Sequence, residues 1–230
     1  MDSPSRILLA PVAAALKPLL NRLVFHGVET CQELFDPAAA RVRPSAHRMP
    51  TFHALATTAM ERLTPELIAA GFVRTARRAT AETWTHGETV RLVISAAAGN
   101  EPESPETIVG EYAVLLTRTV DFEDGRSVRI SNVAAQLALY WQAHVASRAA
   151  TTESEWVEEM IELVMRRGEI VDDVRSAPAE LRLIVAGAAK AFVASDSCRW
   201  ILRRALSDAR HTPAFVETAR DRFLQLAALA

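Results

Sequence analysis

The hydrophobic pattern of this chain changes character once, near Ser131, and that change limits the folds open to it. Before Ser131, short β-rich runs are punctuated by Gly turns. After it the pattern is almost entirely helical. Strands and helices segregated along a chain point to an α+β fold, in which the sheet and the helices each need a partner layer for their apolar face. The expected division is an α/β domain over residues 1–130 and a helical domain over residues 131–230. With 230 residues and a hydrophobic fraction of 50%, the chain has the material for a core in each part.

Within the first part, Leu8, Leu9, Val12, Leu16, Leu19 and Leu20 recur at helical spacing, which predicts a helix over residues 5–21 with Pro11 near its first turn. Leu23-Val24-Phe25 is a short strand ended by His26-Gly27, and residues 28–35 read as helix, so the unit is strand, Gly turn, helix. Residues 51–71 carry Leu55, Met60, Leu63, Leu67 and Ile68 at helical spacing, and Thr64-Pro65-Glu66 divides them into two helices. A strand is expected to start at Phe72. Residues 81–85 and 89–94 form a hairpin across His86-Gly87-Glu88, and residues 117–122 and 127–130 form a second across Glu123-Asp124-Gly125-Arg126. The Gly-, Asn-, Pro- and Ser-rich residues 96–107 between them read as loop.

In the second part, helices are expected over residues 132–148, 153–167, 178–194, 197–209 and 213–228. The second of these has the fullest local signature: Thr152-x-x-Glu155 as a capping box, acids in the first turn, Arg166 and Arg167 in the last, and Gly168 beyond.

Charge and cysteine content narrow the function classes only slightly. A net charge of −2 gives no global pull toward nucleic acid or an acidic membrane. Only Lys17 and Lys190 among the basic residues are lysines, so the positive charge is nearly all guanidinium. Cys31 and Cys198 are far apart, make no metal-ligand spacing, and read as buried thiols of a reducing compartment. The apolar run of residues 7–16 is interrupted by Pro11 and closed by Lys17 too early for a membrane span. A cytoplasmic protein without membrane association is expected.

Several phrases in order carry a resemblance. They are His26-Gly27, then Asp36-Pro37, Val42-Arg43-Pro44-Ser45, Ala70-Gly71-Phe72-Val73, Trp84-Thr85-His86-Gly87, Asp124-Gly125-Arg126-Ser127-Val128-Arg129 and Ser176-Ala177-Pro178-Ala179-Glu180-Leu181. In this order the chain resembles the bacterial nucleotidyltransferase-like proteins of the abortive-infection AbiEii type, over roughly residues 16–206. The resemblance implies a small mixed sheet of the nucleotidyltransferase type with flanking helices, followed by a helical bundle. It also implies a site: a Gly-Gly turn near the nucleotide phosphates, a D-x-D pair holding divalent metal on the next strand, and a third Asp on a later strand. Here those positions read His26-Gly27, His47 and Met49, and Leu92. None of the last three supplies the hard oxygen ligand that magnesium needs. The bundle departs as well, with Tyr140-Trp141-Gln142 where a basic residue is usual, and Trp156 and Glu159 where a paired acidic motif is usual.

The expected protein is therefore a degenerate member that has no catalytic residues and no cofactor and acts by binding. Its partner would be a protein, a second copy of the chain, a nucleotide or an RNA, in a toxin-antitoxin or phage-defence setting. Glu29, Arg43, Ser45 and Arg48 are candidate residual ligand or phosphate contacts. The alternative is an active, divergent nucleotidyltransferase, transferring a nucleotide to RNA or protein, whose magnesium is held by Glu29, Glu33, Glu88 or other residues outside the motif positions. Other constellations are His26, His47 and His53 as a zinc trio, the basic clusters Arg74/Arg77/Arg78 and Arg199/Arg203/Arg204 as phosphate contacts, and Trp141 and Trp156 as core or partner anchors.

Overall fold

A computed structural model describes residues 4–36, 50–78, 80–97, 104–206 and 213–230. They form two compact units. The first is built on a seven-stranded mixed sheet, and the second is helical, so the chain is α+β.

The sheet unit begins with α1 (Pro4–Ala15), which carries Pro11 inside it, and a 3₁₀ segment, Lys17–Arg22. The single helix expected over residues 5–21 is thus split, because Pro18 at the start of the second piece has no amide to continue the α-helical ladder. β1 (Leu23–His26) follows, then α2 (Val28–Cys31), a 3₁₀ turn at Gln32–Leu34, and β2 (Thr51–Ala56). After α3 (Met60–Ala69) come β3 (Val73–Arg77), β4 (Ala81–His86) and β5 (Val90–Ala96). α4 (Pro105–Leu115) leads to the hairpin of β6 (Thr117–Asp121) and β7 (Ser127–Ser131).

The order across the sheet is β3-β4-β5-β2-β1-β7-β6. β2 lies at its centre, parallel to β5 and antiparallel to β1, and β1 is parallel to β7. Paired residues share a face of the sheet. Leu23, Phe25, Phe52, Ala54, Trp84, Leu92, Ile94, Val128 and Ile130 share one face and are all buried, which makes that face the core of the unit.

Three further expectations fail in this unit. Residues 51–56 are the central strand rather than helix. Thr64-Pro65-Glu66 lies within one helix, whose buried side is Leu63 and Leu67. The stretch after residue 104 is α4, opened by Ser104, whose hydroxyl accepts from the Thr107 amide at 3.2 Å.

The helical unit comprises α5 (Val133–Ser147), α6 (Glu155–Arg166), α7 (Ile170–Arg175), α8 (Ala179–Ala194), α9 (Cys198–Ala205) and α10 (Pro213–Ala227), together with Leu34–Asp36. α7 falls in a stretch for which no helix was expected. The Thr152/Glu155 capping box does not form: Thr151–Glu153 is a 3₁₀ turn and Ser154 is the residue before α6. The end of α6 is held by Arg222 of α10, whose Nη1 donates to the carbonyls of Val164 at 2.7 Å and Met165 at 2.8 Å. Tyr140 is buried, with its ring 6.2 Å from that of a half-buried Trp156. Among the described residues, no helix is long and apolar enough to cross a membrane.

Candidate functional site

The strand–Gly–helix unit places one end of the sheet around Gly27. β1 stops at His26, which pairs in register with His53 of β2, and the two imidazole centroids are 5.6 Å apart. Gly27 has φ +89°, a region that favours glycine. A Cβ there would also stand 3.3 Å from Cδ2 of His53, so the glycine lets the His53 ring close against the turn. The Gly27 carbonyl then accepts from the amides of Thr30 at 3.2 Å and Cys31 at 3.0 Å and from the Thr30 hydroxyl at 3.1 Å. α2 is only four residues long, so the phosphate-binding helix terminus implied by the resemblance has little dipole behind it.

Strand register sets which residues share the face beside Gly27. The strand paired with β1 is Thr51–Ala56, and the alternating pair on its site face beside Gly27 is Thr51 and His53. On β5, Arg91 pairs with Thr51 and Val93 with His53. Leu92, expected at the third acidic position, pairs with Phe52 on the opposite face, fully buried in the core. The site face therefore reads His26, Thr51, His53, Arg91 and Val93. Arg43, Ser45, His47, Arg48 and Met49 lie outside the described residues, and with His47 goes the third member of the zinc trio.

Both histidines are held far below their usual pKa. Burial lowers His26 to about 3, helped by the neighbouring His53, and burial lowers His53 to about 4. At neutral pH this end of the sheet presents two uncharged imidazoles, each able to donate one hydrogen bond and accept another.

The acids of the alternative metal site do not gather here. Glu29 is in the first turn of α2. Glu33 is buried and paired with Arg6 at 3.3 Å, and its carbonyl accepts from Arg118 at 2.9 Å. Glu88 is exposed in the turn between β4 and β5. Among the described residues, no three His, Cys, Asp or Glu side chains lie together to hold a metal ion.

Members of two other sequence candidates are paired with acids of the chain. Arg74 and Arg77 both reach Glu82, a buried carboxylate on β4, at 3.1 and 3.3 Å, and Arg74 lies over the Trp84 ring. In the helical unit Arg204 pairs with Glu158 and stacks on Trp200, and Arg199 stands 3.9 Å from Glu217. Cys31 and Cys198 are both buried free thiols. Thr51, Arg91 and Val93 were reachable from sequence only by recognising residues 51–56 as strand, for which Thr51-Phe52 after Pro50 is the available signal; His53 was already a candidate as one of the three histidines.

No protein-family model matches the chain, and no curated protein matches it. Among solved structures it is similar to an antigenic nucleotidyltransferase-like protein from Paracoccidioides brasiliensis, at 14% identity and a TM-score of 0.47, over 92% of this chain and 95% of that one.

Proposed function

We propose that the chain is a binding protein built on a nucleotidyltransferase-type frame whose metal site has been lost. The observation that supports this reading is the site face beside Gly27, where His26, Thr51, His53, Arg91 and Val93 stand in place of carboxylates. Metal-dependent nucleotidyl transfer needs hard oxygen donors to bring magnesium against the phosphates and the attacking hydroxyl. Neutral imidazoles, a methyl-bearing hydroxyl and a guanidinium do not replace them. They suit instead a ligand that accepts and donates hydrogen bonds without a metal bridge, as a nucleotide base, an RNA or a protein loop does.

Calorimetry with ATP, with and without magnesium, together with transfer of labelled nucleotide to RNA or protein, tests the reading. Expected are no transfer and nucleotide binding that is either absent or indifferent to magnesium. Magnesium-dependent transfer that is abolished in Glu29→Gln would overturn it and establish the active, divergent enzyme.

A further inference from the structure

The other end of the central strands holds a separate cleft. β2 and β5 run parallel and finish side by side at Ala56 and Ala96, where a cavity of about 760 Å³ opens. That volume lies within the range of small-molecule sites, and the region beyond the carboxyl ends of parallel strands is a recurrent ligand position. Ala56 is about 10 Å along β2 from His53, so this is not the Gly27 end.

Its lining is divided by chemistry. α4 supplies an apolar wall through Val114 and a largely exposed Leu115, and the alanines at the strand ends are small. Arg129 of β7 supplies a guanidinium that forms no ion pair among the described residues: Nη2 donates to the carbonyl of Asn21 at 2.7 Å, and Nε is buried without a partner. The Thr58 hydroxyl is likewise buried without a partner. Both residues line the cleft, and each holds an unpartnered polar atom buried beside it, which is unusual because leaving a buried donor unpaired costs about 1–3 kcal/mol. One χ1 rotation turns a threonine hydroxyl from one staggered position to another, and a guanidinium offers five donors to a planar oxyanion. Exposed Glu111 also lines the cleft, so its formal charge is balanced by Arg129. That balance favours a singly charged carboxylate over a doubly charged phosphate.

We infer that this cleft binds a small amphipathic carboxylate, its head on Arg129 and Thr58 and its apolar body along Val114 and Leu115. The inference is independent of the function proposed for the Gly27 end, and either can fail alone.

The test titrates the full chain, isotope-labelled for NMR, with hexanoate, hexanol and hexyl phosphate. Hexanoate is expected to shift the Thr57, Thr58 and Thr117 amides saturably and to bind at least about tenfold more tightly than hexanol. Arg129→Gln should lose at least about tenfold for hexanoate, and Glu111→Gln should improve hexyl phosphate more than hexanoate. Thr58→Val, which keeps the shape of the side chain, should weaken hexanoate severalfold even if Arg129→Gln does not fold. Equal binding of hexanol, preference for the phosphate in the unaltered protein, unchanged affinity in Thr58→Val, shifts confined elsewhere, or no saturable binding by any probe would each overturn the inference.

Discussion

Acidification should destabilise the sheet unit through His26 and His53 in a way that two substitutions remove. In the unfolded chain each imidazole titrates near its ordinary value of about 6.5. In the folded unit the values are about 3 and about 4. Between these limits the unfolded state binds more protons than the folded one, so stability is fully present above pH 6.5 and is lost as pH falls toward 4. Two protons taken up on unfolding give a limiting slope of about 2.7 kcal/mol per pH unit. Integrated from pH 7.5 to pH 5, the loss is about 4 kcal/mol, a large share of a domain's ordinary stability.

The assay is amide hydrogen exchange at β1 and β2, which reads opening of the sheet unit separately from the helical unit. It is run at pH 7.5 and pH 5, after correction for intrinsic exchange, on the unaltered chain and on the double variant His26→Asn/His53→Asn. The unaltered chain should lose about 4 kcal/mol more on acidification than the double variant. Parallel losses in the two proteins would refute the reasoning. So would ring-proton titrations of either histidine with midpoints above pH 6.

Three further outcomes are expected. Gly110→Ala should destabilise despite the better helix propensity of alanine, because a Cβ on Gly110 would stand 1.9 Å from the Ala97 carbonyl oxygen. Overpacking against backbone should outweigh the gain of about 1 kcal/mol and leave a net loss of about 2 kcal/mol, read as a fall of several degrees in Tm. Arg222→Ala should lose about 1–3 kcal/mol by uncapping α6 in urea unfolding of the helical unit, with Arg222→Lys recovering part of it. Gly27→Ala should cost about 1–2 kcal/mol through its positive φ, and the histidine ring signals should reveal a displaced His53.

What was legible in the sequence and what was not follows from where each signal originates. The two hairpins were readable because the turns impose local chemistry: Gly87 and Gly125 both adopt positive φ. α6 was readable from its one-sided apolar face and its Arg-rich end. β2 was not, because a central strand is covered on both faces: Phe52, Ala54, Leu55 and Ala56 are all buried, the alternation disappears, and Leu55 falls into false helical phase with Leu63, eight residues on. α4 was hidden by its Pro- and Ser-rich entry and by a buried side made of Thr107, Val109, Gly110 and Ala113, small residues that carry little periodic signal. The surroundings of the expected third position depend on the same alternation: Leu92 pairs with Phe52 in the core, while its neighbour Val93 pairs with His53 on the face beside Gly27, since a strand's faces alternate at every residue.

The assignment of Leu34–Asp36 to the helical unit has a consequence for how the protein can be divided. The Asp36 amide donates to the Arg166 carbonyl at 2.9 Å, its carboxylate accepts from the Gly168 amide at 2.8 Å, and Arg166 lies over the Phe35 ring. These bonds clasp the end of α6, yet they come from a piece of chain lying between β1 and β2. Neither unit is therefore one continuous stretch of polypeptide. A cut after Asn132 would strip the helices of this clasp, while leaving Leu34 and Phe35, both buried in the whole chain, on the sheet fragment. During synthesis the sheet unit can pair its strands before the bundle exists, but that short segment must wait for α6 to emerge before its hydrogen bonds can close.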